Sequence, residues 1–235
     1  MLTDDDFRNI ITDASQQFAE LIEHGDLDAT VSACPGWTLT ELSQHMCRTQ
    51  RWANHALVTG ELGEHTEAPH ERAELLAYFK EGAHLIVESS IATDPQRPTW
   101  SFGPEPRIAK FWTRRQAHEI MVHLWDAYDS QGKSYEVPSE IAIDGISEIA
   151  EVFLPMRLRR GTITPLPQKL VLAPIGSDAR IELAADPSAA GPAVTIIGSA
   201  SDLLLLLWGR VPLSAVEIDG DTQLAQEFLA QGVSP

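Results

Sequence analysis

The first two thirds of the chain carry apolar residues at the spacing of an α-helix, and this pattern constrains the fold more than any other feature. In the segment 4–24, apolar side chains recur every three or four residues, which places them on one helix face. Similar segments follow it, separated by breaks rich in Gly or Pro. The predicted helices span residues 4–24, 38–59, 69–91, 108–130 and 139–156. Because each has one apolar face, we expect them to pack as a bundle.

The pattern changes after Pro155. Residues 162–167 have the composition of a linker, and beyond them short apolar runs bounded by Gly, Pro or Asp predict strands. The predicted strands are 169–173, 179–184, 193–197 and 215–218, and the helices among them are 201–208 and 221–231. A block of helices followed by a mixed segment predicts an α+β protein with two domains, 1–157 and 162–235.

Charge and cysteine content limit the partners and the cellular compartment that we expect for this chain. The chain has 34 acidic and 17 basic residues and a formal net charge of −17. This charge repels nucleic acid and anionic membranes, so we expect neither as a partner. Cys34 and Cys47 are too few for a disulfide framework and lack a CxxC spacing. The acidic N-terminal segment does not have the pattern of a signal peptide, and the apolar run 203–207 is too short to span a membrane, so we expect a cytoplasmic protein.

Three side chains of metal-ligand type are predicted to face inward from two helices. Glu119 and His123 are four residues apart, so they lie on one face, and that face is otherwise apolar. His45 falls on the inward side of its own helix. Burying a carboxylate and two imidazoles costs free energy unless they share a partner. A divalent cation suits all three, and two His with one Glu leave a coordination position open, as in catalytic zinc sites.

Structural roles would explain the same three residues. A single His in an amphipathic helix is more often a residue of the core or its boundary than a ligand, and Glu and His four apart can form a surface pair. Asp126 is either an acceptor for an imidazole N–H or a solvated charge at a helix end. Spacing alone leaves both the metal site and these structural roles open.

A two-part motif then indicates a family. Residues 33–45 read ACPGWTLTELSQH, and Glu119, His123 and Asp126 follow with the spacing ExxxHxxD. This combination resembles the mycothiol-dependent maleylpyruvate isomerase family, which belongs to the DinB-like group of metal-binding helical bundles. Further matches lie at 207–210 and 218–221, so the resemblance covers nearly the whole chain. It implies an N-terminal DinB-like four-helix bundle with an extra helix, and a small C-terminal α/β domain, SCP2-like, that closes over the site.

The resemblance also implies the chemistry. It identifies His45, Glu119 and His123 as the ligands of a divalent metal, with zinc the expected ion, and mycothiol as the thiol cosubstrate. A thiol bound to such an ion loses its proton and becomes a nucleophile. The expected enzyme is a thiol transferase or a cis–trans isomerase that acts on a small electrophile, and the ligand set does not distinguish the two.

Four further residues are candidates for the site. Arg115, four residues before Glu119 on the same face, is a candidate anion site, and Asp126 is the candidate partner of an imidazole. Trp112, one turn before Arg115, either lines the cofactor or packs in the core. Arg210 lies in a turn between Gly and Pro residues. It is predicted either to reach the metal site and bind a substrate carboxylate, or to cap its own helix.

Two other functions stay open at this point. The chain could be a ligand-binding or lipid-binding module without enzymatic activity, since small α/β domains of this kind bind apolar ligands. It could also be a metal-dependent hydrolase in which the open position activates water. The expected oligomeric state is a monomer or a homodimer.

Overall fold

The structure is a computed structural model that describes residues 2–64, 66–183 and 193–234. The chain forms two compact units, the first comprising Leu2–Glu136 and the second beginning at Val137. The sequence pattern places the helix predicted at 139–156 in the first domain, whereas in the structure its residues belong to the second unit. It packs there against the helix Ala200–Leu207, and the Val137 N–H at its start donates to Ser201 Oγ at 3.1 Å.

The first unit contains four long helices of 21 residues each. They are α1 (Asp4–His24), α2 (Leu39–Thr59), α3 (Arg72–Ala92) and α4 (Lys110–Ser130). Helix α1 packs against α3 and α4, and α2 packs against the same two helices, so α1 and α2 are diagonal to each other. The predicted four-helix bundle is therefore confirmed. In the part of the chain that the structure describes, no helix has both the length and the apolar character of a membrane span.

Local capping interactions explain where α2 begins and ends. Thr38 is the N-cap, and its N–H donates to Glu41 Oε2 at 2.8 Å in a reciprocal capping box. Hydrogen bonds from the Thr38 hydroxyl and amide lower the pKa of the Glu41 carboxyl. At the other end, Gly60 adopts a left-handed conformation with φ of 82°, which only glycine adopts without strain. These caps fix α2, which carries His45.

The second unit begins with a helix whose hydrogen-bond pattern changes from α to π and back to α. Helix α5 (Ser139–Glu148) continues through a π-helical segment, Ile149–Phe153, into α6 (Leu154–Arg159). The Leu154 N–H donates to the Ile149 carbonyl, five residues back. Pro155, next in the chain, has no N–H for the α-helical ladder and its ring crowds the preceding turn, so a wider turn accommodates it.

Among the described residues of the second unit, four strands form a mixed sheet, together with the helices α7 (Ala200–Leu207) and α8 (Thr222–Ala230). The strands are β1 (Leu170–Pro174), β2 (Ile181–Leu183), β3 (Val194–Gly198) and β4 (Glu217–Asp219). Their order is β2-β1-β3-β4, in which β1 and β3 are parallel and the outer pairs antiparallel. Ala184, the last residue of one predicted strand, lies outside the described residues. Together with the bundle, this sheet confirms the α+β class.

Candidate metal centre

Helices α2 and α4 bring the three predicted metal ligands together within the first unit. Nε2 of His45 lies 2.9 Å from Oε1 of Glu119, and Nε2 of His123 lies 3.5 Å from the same oxygen. One ligand atom from each residue lies within 4.8 Å of the others. We call these three residues the first donor set. Their convergence follows from the contact between α2 and α4 and from the four-residue spacing on α4.

The first donor set lies at the boundary between the bundle interior and solvent. The exposed fraction of the side chain is 25% for His45, 13% for Glu119 and 7% for His123. A ligand that enters from solvent therefore meets His45 first, and the other two side chains lie deeper.

Arg115 keeps Glu119 ionised. Its Nη2 lies 2.6 Å from Oε2 of Glu119, so one carboxylate oxygen contacts the guanidinium and the other faces the imidazoles. Burial by itself would raise the pKa of Glu119, but the Arg115 charge and hydrogen bonds from His123 and His45 hold it well below its usual range. Glu119 is therefore a carboxylate, the form that ligates metal. The anion that Arg115 binds in this structure is Glu119 itself.

Asp126 is completely buried and holds His123 in place. Its Oδ2 lies 2.9 Å from Nδ1 of His123, so the solvated position that the sequence left open does not occur. Burial opposes the charged form of His123, yet its hydrogen bonds to Asp126 and Glu119 raise its pKa to about 9. When Nδ1 carries the proton and donates to Asp126, Nε2 presents its lone pair to the first donor set.

The residues present fit a divalent cation. Glu119 and Asp126 contribute two negative charges and Arg115 one positive charge, so neutral imidazoles leave a single negative charge for a cation to balance. Tetrahedral zinc with bonds of about 2.0–2.1 Å separates its ligand atoms by about 3.4 Å. The observed separations of 2.9 and 3.5 Å from Glu119 Oε1 lie on either side of that value. Two imidazole nitrogens and a carboxylate oxygen also form a donor set that suits zinc.

A tight turn places Trp37 against His45. The Trp37 N–H donates to the Cys34 carbonyl at 3.0 Å, and Gly36, between them, has φ of +84°. Pro and Gly at the two central positions are typical of a type II turn. The rings of Trp37 and His45 lie 5.1 Å apart at 46°. Sequence analysis did not single out Trp37 for the site, although its place in the motif that ends at His45 was a usable signal.

Trp112, the predicted cofactor contact, lies in an aromatic cluster. It is completely buried, its Nε1–H donates to the Trp100 carbonyl at 2.7 Å, and its ring meets Trp52 edge-on at 4.9 Å. These are the contacts of a core residue, which was the alternative role. A contact between Trp112 and a cofactor stays a prediction.

Arg210 belongs to the second unit. Its Nη1 donates to the Trp208 carbonyl at 2.7 Å, and its guanidinium carbon lies 5.4 Å from the centre of the Trp208 ring. Arg210 therefore contacts the end of its own helix, as the capping alternative requires. Its predicted contact with a substrate carboxylate stays a prediction.

Comparisons with known proteins identify relatives for both units. Residues 9–128 match the family model described as the mycothiol maleylpyruvate isomerase N-terminal domain, and residues 140–227 match the MDMPI C-terminal domain. The chain is similar to a crystal structure of the mycothiol-dependent maleylpyruvate isomerase, with 16% identity, 93% of each chain covered and a TM-score of 0.63. It is also similar to the crystal structure of a histidine-to-alanine mutant of the mycothiol-dependent maleylpyruvate isomerase, with 17% identity, 93% of each chain covered and a TM-score of 0.59. No curated protein matches the sequence.

Proposed function

Because the chain belongs to the mycothiol maleylpyruvate isomerase family, as models of both family domains show, we propose that it is a metal-dependent and mycothiol-dependent enzyme. Its reaction is thiol transfer to, or cis–trans isomerisation of, a small electrophile. The observation that carries this proposal is the convergence of His45, Glu119 and His123 at the solvent boundary of the bundle. Three protein ligands of this type, which leave a coordination position open, are expected of a catalytic site rather than a structural one.

The cofactor we propose is zinc or a similar divalent ion. Nε2 of His45, Nε2 of His123 and Oε1 of Glu119 would hold it, since these atoms already converge. Such an ion, when bound, keeps a thiol sulfur in the thiolate form at neutral pH. We also propose a cytoplasmic location, because a reducing compartment keeps small thiols available.

The surrounding side chains prepare the site for this chemistry. Arg115 holds one oxygen of Glu119 and so directs the other toward the imidazoles. Asp126 binds Nδ1 of His123 and thereby orients the ring. Trp37 packs against the His45 ring, with the ring centres 5.1 Å apart. Each of these contacts is present before any substrate binds, so little reorganisation is needed during the reaction.

The proposed reaction begins with attack of the thiol sulfur on an electrophilic carbon. In isomerisation, sulfur adds to one carbon of a cis double bond, the resulting single bond rotates, and sulfur leaves as the trans double bond forms. The thiol is recovered and every atom is conserved. In transfer, the carbon–sulfur bond stays: either a proton goes to the neighbouring carbon of the former double bond, or a leaving group departs from the attacked carbon with its bonding electrons. A substrate with a carboxylate needs a counter-charge, and we propose Arg210 for that role because a guanidinium binds carboxylate bidentately.

The test is thiol-dependent consumption of electrophiles by the zinc-loaded protein. Maleylpyruvate is the first compound to try, followed by other cis-unsaturated acids and by alkylating electrophiles, each with and without mycothiol. The matched variants are His45→Ala, which removes a ligand, and His84→Ala, an exposed histidine of the same unit.

We expect consumption that requires mycothiol, is lost in His45→Ala and is retained in His84→Ala. Consumption that proceeds equally well without thiol would contradict mycothiol dependence and indicate a hydrolase. Activity that survives in His45→Ala would contradict the role of the first donor set.

A further inference from the structure

His123 belongs to a second group of possible metal ligands. Sγ of Cys34, a ring nitrogen of His123 and a carboxylate oxygen of Asp126 lie within 4.8 Å of one another. His123 and Asp126 are buried, and Cys34 is half-buried. We call these residues the second donor set. Unlike the first donor set, it contains a sulfur donor, and this difference affects which metal ions it prefers.

The carboxylates of the two donor sets face different nitrogens of the same imidazole. Nε2 of His123 faces Glu119 at 3.5 Å, and Nδ1 faces Asp126 at 2.9 Å. A neutral imidazole has one nitrogen with a free lone pair and one that carries a proton. An ion bound at Nδ1 therefore requires the proton at Nε2, where it faces Glu119 instead of a metal. His123 can serve only one set at a time.

The turn that carries Cys34 is attached to α4 but opens to solvent. The Cys34 N–H donates to the Val31 carbonyl at 3.1 Å, and Ser32 Oγ donates to Asp129 Oδ2 at 2.5 Å. Asp129 lies one turn beyond Asp126, so this bond holds the loop against the part of α4 that carries the second donor set. Cys34 is half-buried, and Pro35 and Gly36 beside it are exposed, so this turn faces solvent.

We propose that Cys34, His123 and Asp126 form a binding site for a thiophilic cation such as Cd²⁺, and that its occupation excludes zinc from the first donor set. Soft cations prefer a sulfur donor, whereas the first donor set offers only nitrogen and oxygen. Binding replaces the thiol proton of Cys34, so a proton is released and a metal–sulfur bond forms. The inference shares His123 with the proposed function but does not depend on turnover.

The experiment is a Cd²⁺ titration of the metal-free protein, followed by the ultraviolet charge-transfer absorption of cadmium–thiolate bonds. The chain has two cysteines. Cys47 is completely buried, and burial raises the pKa of its thiol to about 12, so it is a poor donor. We expect the absorption to appear in the natural protein and in Cys47→Ala. It disappears in Cys34→Ser, with a loss of Cd²⁺ affinity of at least about tenfold.

A His45→Ala variant separates the two donor sets. We expect it to retain the Cd²⁺–thiolate absorption while it loses zinc, and we expect a single ion per chain when both metals are supplied to the natural protein. Absorption that survives in Cys34→Ser, absorption that vanishes in His45→Ala, or two ions per chain would each overturn the proposal. If the Cd²⁺ titrations give the expected results but the protein shows no catalytic turnover, the proposed function is contradicted and this inference is not.

Discussion

Arg115 and Glu119 form a buried ion pair one helical turn apart, with Nη2 and Oε2 separated by 2.6 Å. The pair uses one carboxylate oxygen and leaves the other, Oε1, beside both imidazoles. Glu119 can therefore interact with a fixed cation on one side and with a bound metal ion on the other. The ion pair with Arg115 thus orients the carboxylate before any metal ion binds.

Replacing Arg115 by Gln should weaken both metal binding and the fold. The uncompensated buried carboxylate should cost about 3–5 kcal/mol in the free energy of unfolding, and zinc affinity should fall roughly 10–100-fold. Chelator competition and denaturant unfolding measure the two effects. Lys110→Gln, at an exposed position of α4, is the control and should change neither. Unchanged zinc affinity in Arg115→Gln would show that Glu119 needs no partner.

The metal content of His45→Ala should fall well below the single ion expected in the natural protein, because the variant lacks one of three ligands. Elemental analysis of protein purified without chelator measures it. His55→Ala changes an exposed residue of the same helix and should retain the metal. Equal metal content in the natural protein and His45→Ala would remove His45 from the site.

In the metal-free protein, Asp126→Asn should lower the pKa of His123 from about 9. Asparagine has the same shape but no negative charge, so it stabilises the imidazolium less. An NMR titration of the ring protons follows the change. In the metal-bound protein, loss of this ligand partner should reduce zinc affinity by roughly 10–100-fold. A pKa that stays near 9 would assign the whole shift to Glu119.

The free energy of unfolding of the metal-free protein should fall both at alkaline pH, because of His123, and at acidic pH, because of Glu119. The pKa of His123 is raised from 6.5 to about 9, so its contribution is complete below pH 6.5 and is lost as pH rises toward 9. The pKa of Glu119 is lowered from 4.5, so its contribution is complete above that value and is lost as pH falls below it. Denaturant unfolding across pH tests both. In His123→Gln the loss between pH 6.5 and 9 should disappear; an unchanged alkaline profile would contradict this assignment.

Arg210→Lys should keep the fold and the metal content but lose turnover, since lysine cannot reproduce the two-point contact of a guanidinium with a carboxylate. Steady-state kinetics with a carboxylate-bearing electrophile and mycothiol, beside metal analysis of the same sample, measures this. Full activity in both Arg210→Lys and Arg210→Ala would leave Arg210 with only the role of a helix cap at Trp208.

Local sequence signals explain why much of the fold and of the first donor set could be predicted. The ends of α2 depend on Thr38, Glu41 and Gly60, which act within a single turn of the chain. The approach of Glu119 to His123 depends on helix geometry alone. His45 lies on a different helix, so its approach to Glu119 and His123 cannot be predicted from helix geometry. The resemblance to the family motif predicted it.

The features that sequence reasoning did not predict depend on contacts between distant segments. Helix α5 belongs to the second unit because it packs on α7, and its amphipathic pattern does not specify a partner. The sequence pattern predicts a regular helix through Pro155 and does not predict the π-helical segment that precedes this proline. The approach of Cys34 to His123 depends on how a turn folds back onto α4, which the spacing of residues does not encode.

The diagonal placement of α1 and α2 has a consequence for how such a protein can diversify. The connection between these helices, residues 25–38, must cross the end of the bundle, and it carries Cys34 and Trp37 to the edge of the ligand set. The residues of the first donor set lie on helices, where a substitution disturbs the packing, whereas Cys34 and Trp37 lie on a loop, which tolerates changes in length and sequence. Mutations in this one short segment can therefore alter access and metal selectivity while the first donor set stays unchanged.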